Sequence, residues 1–368
     1  MKIIEVLYNL QNGGAQRLVV DLSNEMSLQH EVVLLTLKDD TIMPERRNFY
    51  KFDLSDRVQY ENLGLGDGFS FDALFKIYRY LNSVKADVVH IHGEGMPAYF
   101  VLPLYMGCGK TKFYQTIHSD LHNGYDTGFM RFTINTMGRI GRLKFVCLSP
   151  KNYEDFKTKY PKSFFRCIVN GRAPILPTSE FHNTKHEMLG YRLNKNSRLY
   201  LHIASCNEVK NQKLLISSFN EIVKKGINAD LVIIGKDYDT ERGIALQKMA
   251  CKRVHFIGQR KNIADYVLNA DIFCLSSNYE GMPISLIEAS LAGLPAVSTP
   301  VCGAVDIIEN NVNGMLAVDH TEKEYIKALI YVYENYDRLR ENALTMKNNS
   351  PYTIKECSQK YISYFCGC

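Results

Sequence analysis

Short apolar runs alternate with amphipathic segments along the whole chain. Runs of mostly apolar residues predict buried strands, whereas apolar positions spaced three and four apart, as in residues 71–84, predict helices. Strands that alternate with helices predict parallel sheets, whose ligands bind beyond the carboxyl ends of the strands. The predicted strands are residues 3–8, 32–36, 86–93, 112–117, 145–149, 167–171, 199–205, 231–235, 254–258 and 270–275.

The length of 368 residues indicates two domains, because one core of this size is uncommon. We place a first domain at residues 1–172 and a second at residues 198–345. Residues 173–197 between them are rich in proline, serine, lysine and asparagine, which predicts a linker or hinge. Residues 346–368 contain a predicted helix, which we expect to cross back to the first domain.

The composition predicts a cytoplasmic globular protein. Hydrophobic residues make up 46% and charged residues 23%, and no apolar stretch approaches the roughly 18 residues of a membrane span. Residues 1–8 are too short an apolar stretch, and acidic too early, for a signal peptide. The ten cysteines are scattered singly, which predicts reduced thiols rather than a disulfide framework.

Positive charge is concentrated in one part of the chain. The net charge of +5 is too small to indicate nucleic-acid binding. Between residues 131 and 172, however, ten arginines and lysines are opposed only by Glu154 and Asp155, with phenylalanines and isoleucines interleaved. This segment predicts either a solvated basic face or a patch that contacts the inner membrane surface.

The stretch at residues 270–295 carries the strongest signal for a functional site. An apolar run is followed by a turn with Glu280 and Gly281, and Pro283 stands where a first helical residue is expected. Gly293 then ends the predicted helix. A helix that starts directly after a strand directs unpaired N–H groups and the positive end of its dipole at a ligand, which favours an anion.

Two glutamates flank this predicted anion site. Glu280 lies in the turn and Glu288 in the second turn of the helix. A carboxylate beside a phosphate would be repelled, so the pair is better suited to hold hydroxyl groups, such as those of a sugar and a ribose. The alternative is that both are ordinary solvated acids.

The spacing of these glutamates resembles the signature of the group 1 (family 4) retaining glycosyltransferases. In that signature two glutamates are separated by seven residues, here with Gly281 after Glu280 and Ala289 after Glu288. The resemblance covers about residues 1–345. Further matching positions are Ala270, Asp271, Ser276, Gly293, Leu294, Pro295, residues 299–303 and Gly314.

The resemblance implies the GT-B fold, an α/β architecture of two Rossmann-like parallel-sheet domains that face each other across a cleft. It implies an enzyme that moves a sugar from a nucleotide-diphosphate donor, expected to be a UDP-sugar, to a hydroxyl of a glycan or lipid-linked acceptor with retention of configuration. The acceptor would bind the first domain and the nucleotide-sugar the second. No metal or other cofactor is expected, and the implied role is bacterial synthesis of capsule, exopolysaccharide or O-antigen.

Site residues of the first domain are implied at two places. Gly13, Gly14, Ala15 and Arg17 follow the first predicted strand and resemble the acceptor-side loop of this family. We expect the two glycines to permit close backbone approach to a ligand or a positive φ. His118 directly follows another predicted strand, and the resemblance implies that it lies against the donor sugar near O6.

Two more histidines occur in the predicted strand at residues 86–93. His90 and His92 alternate with apolar residues. We expect one of them to face the core and the other to face the edge of the cleft. The sequence around them does not supply the partners of a metal site.

A cation for the donor diphosphate is implied in the second domain. Lys210 stands at a predicted helix start after the strand at residues 199–205, where the family has a lysine. The family's preceding glycine and arginine are replaced here by Ala204 and Ser205. Without that arginine a bidentate phosphate contact is missing, so the charge falls to Lys210 and the helix N-terminus.

The resemblance also assigns roles to the two glutamates. Glu280 would hold O3 or O4 of the sugar, and Glu288 would hold the ribose hydroxyls. Glu280, Lys210 and His118 are therefore the predicted catalytic residues. The other predicted donor-binding positions are Ser205, Gly235, Gly258, Arg260, Gly281, Met282, Pro283 and Ile284.

Two other functions remain open. A nucleotide-sugar 2-epimerase shares the two-domain architecture, but the chain has no match to the signature of that class. A catalytically silent GT-B protein that serves as a scaffold or binding subunit is favoured by Ser205. The presence of Glu280, Lys210 and Glu288 together speaks against that interpretation.

Overall fold

The computed structural model describes residues 1–93, 95–119, 121 and 128–367. It divides into two compact units, one of residues 1–173 with 352–368 and one of residues 174–351. No helix in these described ranges combines the length and the apolar character needed to cross a membrane. No two of the described cysteines form a disulfide.

The first unit is built on a parallel sheet. Its strands, among the described residues, are β1 (Lys2–Leu7), β2 (Glu31–Lys38), β3 (Val58–Leu65), β4 (Val88–His92), β5 (Lys112–Ile117), β6 (Leu143–Cys147) and β7 (Phe165–Cys167). Their order is β3-β2-β1-β4-β5-β6-β7, and all neighbours are parallel. The strand order reverses between β1 and β4. Ligands of such sheets bind at this switch point, beyond the carboxyl ends of the strands.

Helices connect these strands. Those described before residue 174 are α1 (Gly14–Met26), α2 (Pro44–Arg47), α3 (Phe71–Val84), α4 (Val101–Met106), α5 (Gly128–Thr133) and α6 (Pro150–Lys159). Short 3₁₀ helices lie at Lys51–Asp53 and Met96–Phe100, and a π-helical turn lies at Ile134–Gly138.

Local sequence signals explain where these helices begin. Ser70 precedes α3, and its hydroxyl accepts a hydrogen bond from the Ala73 N–H at 3.2 Å. Ser149 caps α6 in the same way, with Pro150 as the first helical residue. Such caps satisfy an otherwise unpaired N–H group and stabilise a helix by about 1 kcal/mol. The apolar faces then pack into one core with the buried strands.

The second unit has its own parallel sheet. Its described strands are β8 (Arg198–Ile203), β9 (Ala229–Ile234), β10 (Val254–Phe256), β11 (Ile272–Leu275), β12 (Ala296–Ser298) and β13 (Gly314–Leu316). Their order is β10-β9-β8-β11-β12-β13. The order reverses between β8 and β11, so the segments that follow these two strands leave the sheet side by side.

The helices of the second unit include one in a segment for which the sequence indicated a linker. They are α7 (Phe181–Gly190), α8 (Gln212–Lys224), α9 (Glu241–Met249), α10 (Ile263–Leu268), α11 (Ile284–Leu291), α12 (Ala304–Ile307), α13 (Glu322–Glu334) and α14 (Tyr336–Lys347). Helix α7 lies within residues 173–197, which we predicted as a linker. It packs on α10, where Asn262 Nδ2 donates to Thr184 Oγ1 at 2.8 Å. Tertiary packing therefore orders a segment of polar composition.

The last helix, α15 (Ile354–Cys366), belongs to the first unit. The Ile354 N–H donates to the Arg172 carbonyl oxygen at 2.9 Å, which ties the start of the helix to the end of the first domain. Tyr361 and Phe365 are fully buried in that unit. The chain thus completes the first unit only with its final residues.

Candidate active site

The turn after β11 leads directly into α11. Pro283 is the N-cap of this helix, with φ −72° and ψ 112°, so the helix begins one residue later than predicted. The extended ψ of Pro283 turns the chain into the helix at Ile284. Gly303 packs against this turn with φ +72°, and a Cβ there would lie 2.8 Å from Met282 and Pro283. Glycine is therefore required at position 303 for the turn to keep its shape.

Two predicted catalytic residues meet at this turn. Lys210 Nζ donates to Glu280 Oε1 at 2.7 Å, and Ser277 Oγ donates to the same oxygen at 2.6 Å. The Ser276 hydroxyl donates to the Lys210 carbonyl oxygen at 2.8 Å and so joins the two segments. The Glu280 side chain is only 10% exposed and that of Lys210 27% exposed, so their attraction is screened less than in an exposed pair.

The second predicted glutamate lies inside the same helix. Glu288 is buried, with 7% of its surface exposed, in the second turn of α11. Gly281, Met282 and Pro283 ahead of the helix are buried as well. A buried acid so close to a helix start differs from the solvated acid of the alternative interpretation.

A buried histidine lies in the strand that leads toward Lys210. His202 in β8 donates from Nδ1 to the Cys274 carbonyl oxygen of β11, at 2.9 Å. Burial lowers the pKa of His202 to about 4, and the charge of Lys210 adds to this effect. His202 is therefore neutral at pH 7 and adds no charge to the Lys210–Glu280 pair.

The predicted nucleotide-binding positions lie at the carboxyl ends of β8, β9 and β10. A Cβ at Gly235 would lie 1.9 Å from the Ala204 carbonyl oxygen, so no side chain fits between these strand ends. The Gly235 N–H donates to the Gly258 carbonyl oxygen at 3.1 Å. Ser205 follows directly after Ala204 and is partly exposed. The backbone segments after β8, β9 and β10 are thus closely packed where a nucleotide is expected.

The guanidinium of Arg260 already has partners in the second unit. Its Nε donates to the Tyr266 hydroxyl at 2.9 Å, and its Nη2 donates to Glu187 Oε1 at 3.3 Å. The Tyr266 hydroxyl also donates to Glu187, at 2.6 Å. This arrangement leaves the backbone and the aliphatic stem of Arg260, rather than its guanidinium, for the predicted contact with the donor.

The predicted loop of the first unit leads from β1 into α1. Gly13 is the N-cap of α1 with an extended φ of −175°, and neither Gly13 nor Gly14 has a positive φ. That part of the prediction is wrong, because the extended chain enters the helix without a left-handed residue. A Cβ at Gly13 would lie 2.4 Å from Gln16 Oε1, which is the end of a flexible side chain, so close approach to a ligand stays a prediction for this glycine.

Arg17 is held by acidic residues of its own unit. Its guanidinium donates to Asp21 Oδ1, at 3.1 Å from Nε, and also to Asp53. It also lies over the Tyr50 ring, 5.3 Å from the ring centroid. The guanidinium of Arg17 is thus already engaged by acidic residues, one of which, Asp21, also pairs with Arg172. It is therefore less available to a ligand at the predicted acceptor-side loop.

A pocket opens at the switch point of the first sheet. Its volume is about 340 Å³. The predicted loop contributes Ala15 to it, and the end of β5 contributes His118, so the structure brings these two predicted site regions together. Leu7, Tyr8, Gln16, His92, Gly93 and Gly95 complete the lining.

Both strand histidines face the same side of the sheet, contrary to our expectation. Residues two apart in a strand point to the same face, and His90 and His92 are both buried against Glu5 of β1. Glu5 Oε2 lies 2.9 Å from His90 Nδ1 and 2.7 Å from His92 Nε2. His92 Nδ1 lies 3.1 Å from His118 Nε2. We call Glu5, His90, His92, Thr116, His118 and Tyr361 the histidine network.

Electrostatics in this network keep the acid charged and two histidines neutral. Burial alone would raise the pKa of Glu5, but the neighbouring His90 and His92 more than offset this and lower it to about 2. Burial and His90 lower the pKa of His92 to about 4 against the opposing effect of Glu5. Burial, with a smaller effect of His92 and His90, lowers the pKa of His118 well below its usual value.

Sequence reasoning missed Glu5, although a signal for it was present. Glu5 is a single charged residue in the middle of an apolar run, and a buried carboxylate needs partners in the fold. Among the described residues, Glu5, His90 and His92 also bring three potential metal ligands within 4.8 Å of one another. The expectation that these histidines lack such partners is therefore wrong in geometric terms.

Two family models match this chain. The model for glycosyl transferases group 1 matches residues 185–350, and the model for Glycosyltransferase Family 4 matches residues 12–172. The two matches fall on the second and the first unit, respectively, and together span most of the chain.

Curated relatives resemble part of the chain. An N,N'-diacetylbacillosaminyl-diphospho-undecaprenol alpha-1,3-N-acetylgalactosaminyltransferase of Campylobacter jejuni is 25% identical over 233 residues, which is 60% of each chain. The O-antigen biosynthesis glycosyltransferase WbnH of Escherichia coli is 30% identical over 217 residues, which is 59% of this chain and 56% of that protein. The similarity thus spans less than two thirds of the length of these relatives.

The fold as a whole matches solved structures. The Anabaena protein Alr3699/HepE, in complex with UDP and glucose, has a TM-score of 0.80 at 15% identity, and the match covers 100% of both chains. Two parallel-sheet units of this kind make up the GT-B fold. Taken with the two family models, these features show that the chain belongs to the group 1 (family 4) glycosyltransferases.

Proposed function

We propose that this protein moves a sugar from a UDP-sugar to a hydroxyl of a lipid-linked glycan, with retention of configuration and without a metal. The observation that carries this proposal is the Lys210–Glu280 pair on the turn ahead of α11. It combines a cation for a leaving diphosphate, a carboxylate for sugar hydroxyls and a helix N-terminus within one turn.

The donor would bind to the second unit. Lys210 and the first N–H groups of α11 would offset the charge that develops on the diphosphate, since Ser205 supplies none. Glu280 would accept hydrogen bonds from O3 or O4 of the sugar, and the buried Glu288 would hold the ribose hydroxyls. The presence of UDP in the Anabaena protein of the same fold supports uridine as the base.

The chemical step needs no covalent enzyme intermediate. The bond between the anomeric carbon and the phosphate oxygen breaks, and the acceptor oxygen attacks the same face of the sugar. The proton of the acceptor hydroxyl passes to the departing phosphate oxygen, so the leaving group acts as the base. Lys210 is suited to stabilise the charge on that group as the old bond breaks.

The acceptor would use the first-unit pocket beside Ala15, whereas His118 would keep its predicted role against the donor sugar near O6. The Campylobacter relative is named for a diphospho-undecaprenol substrate, and WbnH is named for O-antigen biosynthesis. These names support a lipid-linked acceptor and a role in bacterial surface polysaccharide synthesis. Such an acceptor would bring the enzyme to the cytoplasmic membrane face.

An exposed apolar patch in the first unit supports membrane contact. Tyr105, Met106, Phe132, Ile140 and Phe164 are all exposed, and Arg139, Arg142 and Lys162 are exposed around them. The Tyr105 hydroxyl lies 3.3 Å from Thr136 Oγ1, which connects α4 with the π-helical turn. We call these eight residues the aromatic-basic patch. Its composition suits an anionic lipid surface.

A transfer assay tests the proposal. The purified protein is incubated with labelled UDP-sugars and an undecaprenyl-diphosphate-linked sugar in the presence of EDTA, and the anomeric configuration of the product is read by NMR. We expect a product with the configuration of the donor. An inverted product, or a strict need for added metal, would refute the mechanism. Nucleotide binding without turnover on any acceptor would favour the scaffold function that Ser205 suggests.

A further inference from the structure

The histidine network joins the core of the first unit to its pocket. Glu5 in β1 pairs in register with His90 in β4, and His92 in β4 pairs with Thr116 in β5. At one end the Tyr361 hydroxyl of α15 lies 2.9 Å from Thr116 Oγ1, which lies 2.8 Å from His90 Nε2. At the other end the network reaches a residue that lines the pocket.

The proton positions follow from the acid at the centre. Glu5 is ionised, because its buried carboxylate lies within 2.9 Å of ring nitrogens of both His90 and His92. An ionised carboxylate only accepts hydrogen bonds. Glu5 Oε2 lies 2.7 Å from His92 Nε2, so that nitrogen must carry a proton. His90 Nδ1 lies 2.9 Å from the same oxygen, 3.1 Å from Glu5 Oε1 and 3.2 Å from His92 Nε2. It donates to the carboxylate rather than accepting from His92, because its lone pair would otherwise face two anionic oxygens.

This assignment determines the protonation of the other ring nitrogen of His92. His92 is buried and shares the single charge of Glu5 with His90, so it carries one ring proton, and that proton is on Nε2. Its Nδ1 is therefore an acceptor. The atom 3.1 Å away is His118 Nε2, which must then donate its proton to His92.

We propose that Glu5 is a positioning residue that acts through His92 to fix the tautomer of His118. With the proton held on Nε2, the Nδ1 atom of His118 is unprotonated. His118 lines the pocket, and its Nδ1 accepts a hydrogen bond from a hydroxyl group of the sugar substrate. The identity of that ligand rests on the proposed function. The tautomer itself rests only on the contacts of the network.

A bound metal ion is the competing explanation for this cluster. Glu5, His90 and His92 could together ligate zinc, because their ligand atoms lie within 4.8 Å of one another. A metal at His92 Nε2 would replace the very proton that the proposed assignment places there. The two explanations therefore exclude each other at one atom.

The first test is long-range proton–nitrogen NMR of the full-length protein with labelled histidines at pH 7. The His118 resonances are identified with the His118→Gln variant. We expect a protonated Nε2 and an unprotonated Nδ1, both in the absence of any ligand. A proton on Nδ1, or a doubly protonated ring, would overturn the proposal. So would one equivalent of zinc in the purified protein, measured by atomic absorption.

The second test replaces Glu5 with an amide of the same shape. In Glu5→Gln an NH₂ group takes the place of one carboxylate oxygen. His90 Nδ1 lies 2.9 Å from one oxygen and 3.1 Å from the other, so it faces this donor group in either orientation of the amide. The arrangement in which both histidines donate to residue 5 is therefore destabilised. We expect a second set of His118 ring resonances with the proton on Nδ1, and a roughly tenfold fall in kcat with little change in KM. Unchanged His118 resonances in a folded variant would contradict the proposal.

Tyr361→Phe is the matched control. It removes one hydroxyl from the opposite end of the same buried network and keeps the ring. We expect the His118 tautomer to stay as it is in the unmodified protein. A shift as large as that in Glu5→Gln would mean that the effect is general loosening of the core. If the tautomer is as expected but no sugar is transferred, the proposed function fails and the positioning role of Glu5 stands.

Discussion

At the scale of single residues, the account depends on charges that are held by defined partners. Lys210 and Glu280 are paired, and Ser277 adds a hydrogen bond to the carboxylate. Arg17 and Arg260, which sequence reasoning also placed in binding roles, are held by acidic residues of their own units. Lys210 is thus the cation whose placement best suits a diphosphate.

The role of Glu280 leads to a direct prediction. Glu280→Gln keeps the shape of the side chain but removes the charge that pairs with Lys210 and accepts from sugar hydroxyls. We expect kcat to fall by about 10²-fold or more, while the melting temperature changes little. Glu208→Gln is the control, because Glu208 is an exposed glutamate of the same unit. Equal turnover in both variants would remove Glu280 from the site.

The buried histidines predict a pH dependence of stability. His92 and His202 have folded pKa values of about 4 against 6.5 in the unfolded chain, so between these values the unfolded state binds more protons. Their contribution is complete above pH 6.5 and is lost as the pH falls toward 4. Glu5 adds a further loss between pH 4.5 and about 2.

Urea unfolding at several pH values measures this effect. We expect the midpoint to fall steadily between pH 7 and pH 4, with a loss on the order of a few kcal/mol per histidine. In a His202→Gln variant the slope of this fall should decrease. A midpoint that stays constant from pH 7 to pH 4 would contradict the neutral, buried state of these histidines.

At the scale of elements, the segments between strands and helices determine the site. In the first sheet the switch point places the segments after β1 and β4 side by side. In the second sheet the switch point does the same for the segments after β8 and β11. The aromatic-basic patch is a separate feature, formed by α4, α5 and residues next to β6 and β7. We expect this patch to contact lipid.

A paired substitution tests the patch. Phe132 and Phe164 are 56% and 52% exposed, and replacing both with Ser should reduce sedimentation with vesicles that contain anionic phosphatidylglycerol at least fivefold. Phe52→Ser is the control, because Phe52 is 90% exposed in the same unit and lies outside the patch. Turnover on a water-soluble acceptor should be unchanged in all variants. Equal sedimentation of the three proteins would exclude the patch as a membrane contact.

Much of this arrangement was predictable from sequence, and the exceptions have physical causes. Apolar runs predicted the central strands, and apolar positions spaced three and four apart predicted α3, because period and burial agree there. The short strands β12 and β13 and the strand β3 at the sheet edge were missed, since they do not contain the long apolar runs from which the other strands were predicted. Helix α7 was missed because its order comes from packing on α10 rather than from its polar sequence.

The candidate site likewise has features that the sequence predicted and features that depend on distant parts of the chain. Glu280 and Lys210 are 70 positions apart in the chain, and only the family resemblance joined them before the structure showed their contact. The face of His90 and His92 was misjudged, although a period of two already places both on one side. Glu5 was overlooked because its partners come from a strand more than 80 residues away, which no local pattern reveals.

At the scale of the whole molecule, two parallel-sheet units of the GT-B fold and two matching family models define the protein as a glycosyltransferase of group 1. The central claim is that the turn between β11 and α11, with Lys210, forms a working site for a nucleotide-sugar. Because Ser205 stands where the family has an arginine, binding of the diphosphate should depend strongly on Lys210.

The most direct measurement is the melting temperature of the purified protein with a panel of nucleoside diphosphates and their sugars in EDTA. A ligand that binds only the folded state must raise the melting temperature. We expect UDP and one UDP-sugar to stabilise the protein, and Lys210→Ala to lose most of that shift. No shift with any nucleotide, or an equal shift in Lys210→Ala, would contradict the assignment of the donor site.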